Sequence, residues 1–92
     1  MILRYKRRAL SDLESIHDYI AQHDADAARR VVRRIEHSIS RLALLPLSGR
    51  SGVVAGTRIV VVPSLPYVAI YRAREDAVEI IAILHTARRR RS

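Results

Sequence analysis

Arg58, Arg72 and His85 lie on or at the ends of consecutive β-rich runs in the second half of this 92-residue chain. Two guanidinium groups can hold a phosphate and an imidazole can move a proton, the combination that cleavage of an RNA backbone requires. The competing reading makes all three surface residues at strand edges. The rest of the inventory offers less. His17, His23, His37 and His85 show no H-E-x-x-H or comparable metal spacing. No pair of carboxylates stands out for acid–base work. Ser11, Ser38, Ser40, Ser48, Ser51 and Ser64 lack the setting of a nucleophile elbow. There is no cysteine, hence no disulfide or thiolate site. No metal or cofactor is expected. Pro46 to Gly56 holds all three glycines but neither GxxxxGK[ST] nor GxGxxG, so it reads as a connector rather than a phosphate loop.

Charge points to partners instead. The net charge is +8, from 17 basic and 9 acidic residues, and Lys6 is the single lysine. Such a balance suits nucleic acid, an acidic protein or an anionic surface without choosing among them. The Arg88–Arg91 run could contact phosphates or form a frayed, solvated tail. Tyr67 and Tyr71 share one strand face and could stack bases, although Ala69 between them suits a core. No apolar run approaches the roughly 20 residues of a membrane span. The N-terminus carries no signal-peptide pattern. The expectation is a cytoplasmic protein with no membrane contact.

Those residues must be positioned by a small set of elements. Thr57–Val62, Tyr67–Arg72 and Val78–His85 are strand-length runs with short connections, which predicts a three-stranded antiparallel meander. Strict alternation would put Val78, Ile80, Ala82 and Leu84 on one face, and Glu79, Ile81, Ile83 and His85 on the other. Both faces are then apolar, and a partner chain is the natural cover for the one that the helices leave bare. Upstream, Leu10, Leu13, Ile16 and Ile20 repeat at helical spacing. A capping box at Ser11 and a stripe already present at Leu10 disagree about the start, which we place near Arg8. Asp24 predicts an N-cap for a second helix over 27–45, with Ala28, Val32, Ile35, Ile39 and Leu42 on one face and Pro46 ending it. Ile2–Tyr5 is a short strand. The order β-α-α-β-β-β predicts one α+β domain over 1–92, a helical hairpin on one face of a small antiparallel sheet.

Several stretches together resemble a known family. Ala9-x-x-Asp12-Leu13-x-x-Ile16-x-x-Tyr19-Ile20, Ala27-Ala28 and Leu42-x-x-x-Pro46-x-x-Gly49-Arg50 look like the helical half of the RelE/ParE toxin superfamily. Gly56-Thr57-Arg58, Pro66-Tyr67-Val68-x-x-Tyr71-Arg72 and Val78-x-Ile80-x-x-Ile83-x-His85-x-x-Arg88 look like its sheet half. The resemblance implies the toxin of a type II toxin–antitoxin pair, held in a hetero-oligomer by an antitoxin, ParD-like or other, whose acidic C-terminal segment wraps it. His85-Thr86-Ala87-Arg88 is similar to the His-Gly-Ala-Arg ending of ParE-like members, with Thr86 where Gly is usual. No lysine cluster precedes the first meander strand and no Tyr follows Tyr71. The resemblance therefore implies a ParE-like inhibitor of DNA gyrase with no catalytic residue. The alternative it leaves open is a RelE-like, ribosome-dependent mRNA endoribonuclease using Arg58, Arg72 and His85. Antitoxin contact is expected at Leu13, Ile16, Ile20, Val32 and Ile35 on the hairpin, and at Ile81 and Ile83 on the sheet. Sequence does not separate these from the toxin's own core.

Overall fold

A computed structural model describes residues 1–89, with side chains described as far as Ala87. Arg90, Arg91 and Ser92 of the expected tail lie outside the described residues. The elements in chain order are β1 (Ile2–Tyr5), α1 (Arg7–Ala21), α2 (Ala25–Ser40), a 3-10 turn (Arg41–Ala43), β2 (Arg50–Ser51), β3 (Arg58–Val61), β4 (Tyr67–Ala73), β5 (Ala77–His85) and α3 (Thr86–Arg89).

Each helix end has a local cause. The Lys6 N–H donates to the Ile80 carbonyl at 2.9 Å, so the chain leaves the sheet there and α1 can start at Arg7. The capping box at Ser11 is therefore unused, and no side chain caps α1. Asp24 does cap α2, accepting from the Ala27 N–H at 3.0 Å, with Asp26 in the first turn at the positive end of the helix dipole. The α-helix closes at Ser40, short of the expected Leu45, and tightens into the 3-10 turn ahead of Pro46. Residues leading into a proline are pushed away from helical backbone.

The expected meander is present as β3-β4-β5, and it is part of a five-stranded sheet ordered β1-β5-β4-β3-β2. β1 runs parallel to β5, and the whole intervening chain serves as the crossover. The β3–β4 connection turns at Pro63-Ser64, with Ser64 at φ 66 and the Leu65 N–H bonded to the Val62 carbonyl at 3.3 Å. Proline at the second position and positive φ at the third define a type II turn.

Alternation along β5 is broken. Tyr71 pairs with Ile80 but Ile70 pairs with Ala82, so Ile81 is an unpaired extra residue, a β-bulge. The bulge reverses the faces beyond it. Ile83 joins Val78 and Ile80 beneath the helices, while Ala82 and Leu84 turn to the outer face. The expected grouping of Ile83 with Glu79 and of Leu84 with Ile80 is corrected accordingly.

The core lies between the hairpin and the inner face of the sheet. It joins Ala9, Leu13, Ile35, Ile39 and Leu42 to Val62, Tyr67, Ala69, Tyr71, Val78, Ile80 and Ile83. Tyr71 is the largest wholly buried side chain, and its hydroxyl accepts from the Gly49 N–H at 2.8 Å. Gly49 is required by that approach, since a Cβ there would stand 2.6 Å from the Tyr71 oxygen and 2.8 Å from the Ile59 carbonyl. The two tyrosines are core residues, as Ala69 suggested. Past Ile80, where β1 no longer reaches, Asp12 of α1 accepts the Ile83 N–H at 2.9 Å and also binds Arg8. That bond ties α1 to the shifted half of β5.

Candidate partner-binding surfaces

The hairpin sorts its five candidate contact residues by depth. Leu13 and Ile35 are interior, with Ile35 wholly buried, and offer nothing to a docking partner. Ile16 and Val32 are half-buried at the rim of the core, beside Val31. Ile20 is also half-buried, one turn beyond that rim, and the neighbouring Tyr19 is exposed. The accessible apolar edge of the hairpin is thus Ile16, Ile20 and Val32.

The sheet contributes a second surface, its outer face. Of the two sheet residues expected there, Ile81 is half-buried at the bulge, whereas Ile83 is 3% exposed and belongs to the core. On the outer face Ile59, Val68 and Ala82 are buried, Ile70 and Leu84 are half-buried, and together with Val61 they make one half apolar. Val61, at the end of β3, stays 50% exposed at the margin of this apolar half. The other half is basic. Arg4, Glu79 and Arg72 stand side by side across β1, β5 and β4, and Arg74 reaches Glu79 at 3.0 Å. The Arg74 hydrogen bond chiefly holds the Glu79 carboxyl below its usual range, desolvation opposes it, and the charges of Arg74, Lys6 and Arg72 add to the lowering. One carboxylate thus lies among Arg4, Lys6, Arg72 and Arg74. Sequence reasoning missed this row. Its signal was present in the period-2 spacing of Ile70 and Arg72, but the partners across the ladder, Glu79 for Arg72 and, past the bulge, Ala82 for Ile70, are set by the register of β4 on β5.

Arg58, Arg72 and His85 are not brought together. The Arg58 guanidinium donates to the carbonyls of Gly49 at 2.8 Å and Leu47 at 3.2 Å, fixing the loop ahead of β2. Arg58 pairs with Tyr71 and so faces the inner side, while Arg72 faces the outer side. His85 pairs with Tyr67, five residues along β4 from Arg72, about 17 Å at strand rise. Its ring packs edge-on to Tyr67 at 5.4 Å, and Nδ1 accepts from the Ala87 N–H at 3.1 Å. Among the described residues no three His, Asp or Glu side chains are grouped as a metal site would need. Nor is any described helix long and apolar enough to cross a membrane.

A strand, a helical hairpin and a sheet closed by a parallel first strand define the fold of the ParE and YoeB toxins. The chain superposes on a chain of the chromosomal ParDE TA system from P. aeruginosa with a TM-score of 0.83 and 26% identity, covering 92% of this chain and 95% of that one. A YoeB/ParE toxin from Agrobacterium tumefaciens shares the fold with a TM-score of 0.62 at 19% identity, covering 92% and 98% of the two chains. In sequence, the protein named "Putative toxin Y4kP" of Sinorhizobium fredii is 43% identical over 83 residues, 90% of this chain and 85% of that protein. Toxin RelE2 of Caulobacter vibrioides is 41% identical over 81 residues, 88% and 90% of the two chains. The sequence model of one family, the ParE toxin of type II toxin-antitoxin system parDE, matches residues 3–90. The chain belongs to that ParE toxin family and is a type II toxin, and the family implies an antitoxin partner.

Proposed function

We propose that this toxin acts in the bacterial cytoplasm by inhibiting DNA gyrase, and that a bound antitoxin segment neutralises it. The reading is carried by the separation of Arg58, Arg72 and His85. An RNA-cleaving centre needs its phosphate-binding and proton-moving groups within hydrogen-bond reach of one scissile linkage. Here Arg58 is spent on loop carbonyls and His85 is about five strand residues from Arg72. What remains is a protein-binding surface. The outer face of the sheet joins an apolar half to a basic half, which fits an amphipathic segment carrying acidic residues on one side. On the other side of the sheet, the hairpin edge of Ile16, Ile20 and Val32 gives a wrapping segment a second apolar contact.

Purified chain, gyrase, relaxed plasmid and ATP test the target. Supercoiling should stop, or cleaved plasmid should accumulate, and added antitoxin should restore the reaction. No effect on gyrase at any molar ratio overturns the proposal. Pulse labelling after induction gives the cellular counterpart. DNA synthesis should halt while translation continues, and an immediate stop in translation would favour an mRNA-cleaving toxin instead.

A further inference from the structure

We propose that the solvent face of α2 binds the phosphate backbone of duplex DNA. This inference stands apart from the gyrase reading and uses a different surface. The inward face of α2 carries Ala28, Ile35 and Ile39. A helix turns about 100° per residue, so the opposite face carries Arg30, Arg33, Arg34 and His37, and Arg41 continues the row into the 3-10 turn. All five side chains are exposed.

The row runs along one helix and is largely uncompensated. Arg30 and Arg41 are about 16 Å apart along the axis at ~1.5 Å per residue. Over that length one strand of a duplex presents about five phosphates, at ~3.4 Å of axis each. The acids of α2 offset the row only in part: Asp26 is taken by Arg29, and Glu36 forms no ion pair among the described residues. Among the described residues Arg30, Arg33 and Arg41 form no ion pair, and Arg34 binds only the Pro63 carbonyl, at 3.2 Å. A carbonyl orients that guanidinium without cancelling its charge.

The composition of the face selects the occupant. An acidic protein segment would want apolar anchors beside its carboxylates, yet no large exposed hydrophobic residue lies on α2, and Leu44 and Leu45 follow only past the end of the row at Arg41. A single strand would want aromatic platforms, and α2 has none. A duplex backbone needs only regularly spaced cations on a stiff support.

The test uses the full chain and a fluorescently labelled 20-base-pair duplex of random sequence, titrated from 50 to 200 mM salt. The variant Arg30→Gln/Arg33→Gln/Arg41→Gln removes three cations that hold nothing in the fold. The control Arg4→Gln/Arg72→Gln/Arg74→Gln removes the same charge from the outer face of the sheet. The α2 variant should lower the slope of log K against log salt by about 2.7, at ~0.9 per lost phosphate contact, and the control by less than about one. Equal losses in the two variants would reduce the effect to net charge and overturn the proposal. So would absence of duplex binding by the unaltered chain at 50 mM salt. Poly-glutamate at matched charge is the third arm. If it binds through the α2 arginines while the duplex does not, the face belongs to an acidic protein and the proposal fails.

Discussion

Replacing Ile81 or Ile83 by Ala separates the bulged strand from a regular one. In a regular strand the two side chains share the face opposite Ile80, and truncating either would have a similar effect. With the bulge, Ile83 is 3% exposed beneath α1 whereas Ile81 is half-buried and unpaired in the β4 ladder. Removing a buried isoleucine side chain to Ala costs about 2–5 kcal/mol, from lost transfer energy and the cavity left behind. A half-buried one loses about half the transfer term and opens no enclosed cavity, so about 1 kcal/mol is expected. In a domain of this size 1 kcal/mol moves the melting temperature by about 4–8 °C. Ile83→Ala should therefore lower Tm by at least ~8 °C and Ile81→Ala by ~4–8 °C, read by circular dichroism on the two purified variants. The partner readout should run the other way. Ile81→Asp should fold and fail to co-purify with antitoxin, whereas Ile83→Asp buries a carboxylate and should not fold. Equal Tm losses for the two alanine variants, or a larger loss at Ile81, would refute the bulge and the surface drawn from it.

The other predictions concern contacts that hold the same frame. Asp12→Ala leaves the Ile83 N–H without its acceptor and should destabilise the fold by about 1.5–3 kcal/mol in urea unfolding, as expected for a hydrogen bond to a charged group. Gly49→Ala places a methyl against the Tyr71 hydroxyl and the Ile59 carbonyl, and should cost about 1–3 kcal/mol, with Tyr71→Phe recovering part of it. Burial, and then the charge of Glu36, pushes the Tyr5 hydroxyl up to about 12 from its usual 10. Because the folded value is the higher one, that contribution to stability is whole below about pH 10 and is lost as pH rises towards about 12. Tyr5→Phe should flatten the stability profile over that window. Glu79→Gln removes the one carboxylate among Arg4, Lys6, Arg72 and Arg74. It should speed association with an acidic segment at 50 mM salt and much less at 300 mM, measured by stopped-flow, since exposed charges are screened within about 10 Å at 0.1 M salt.

Local chemistry was legible in the sequence. Asp24 caps α2 because a carboxylate two or three residues before free N–H groups finds them wherever the rest of the chain goes. The helical stripes and the three meander strands follow from periods of 3.6 and 2, which operate within ten residues or so. The illegible features join distant residues. The parallel pairing of β1 with β5 depends on contacts over seventy residues apart, and the Asp12 bond to Ile83 spans 71. Nothing in Ile80-Ile81-Ala82 marks a bulge, because three apolar residues in a row fit either face. The roles of Arg58 and His85 were hidden for the same reason. Their partners are the carbonyls of Leu47 and Gly49 and the ring of Tyr67, which the sequence does not place beside them.

The bulge links the toxin's core to the outer face proposed to bind a partner. Without the extra residue, Ala82 and Leu84 would lie beneath the helices, and Ile83 and His85 would lie on the outer face. The core would then have alanine in place of isoleucine, and the Ile83 N–H would no longer be placed for Asp12. Shifting by one residue fills the core with Ile83, frees that amide for Asp12, and puts Leu84 beside Val68 as part of an apolar outer surface. On the proposed reading, stability of the free toxin and its cover by a partner rest on the same local irregularity. A change that regularised β5 would damage both together, whereas a change to Leu84 or Ile70 alone should weaken the partner contact and leave the fold standing.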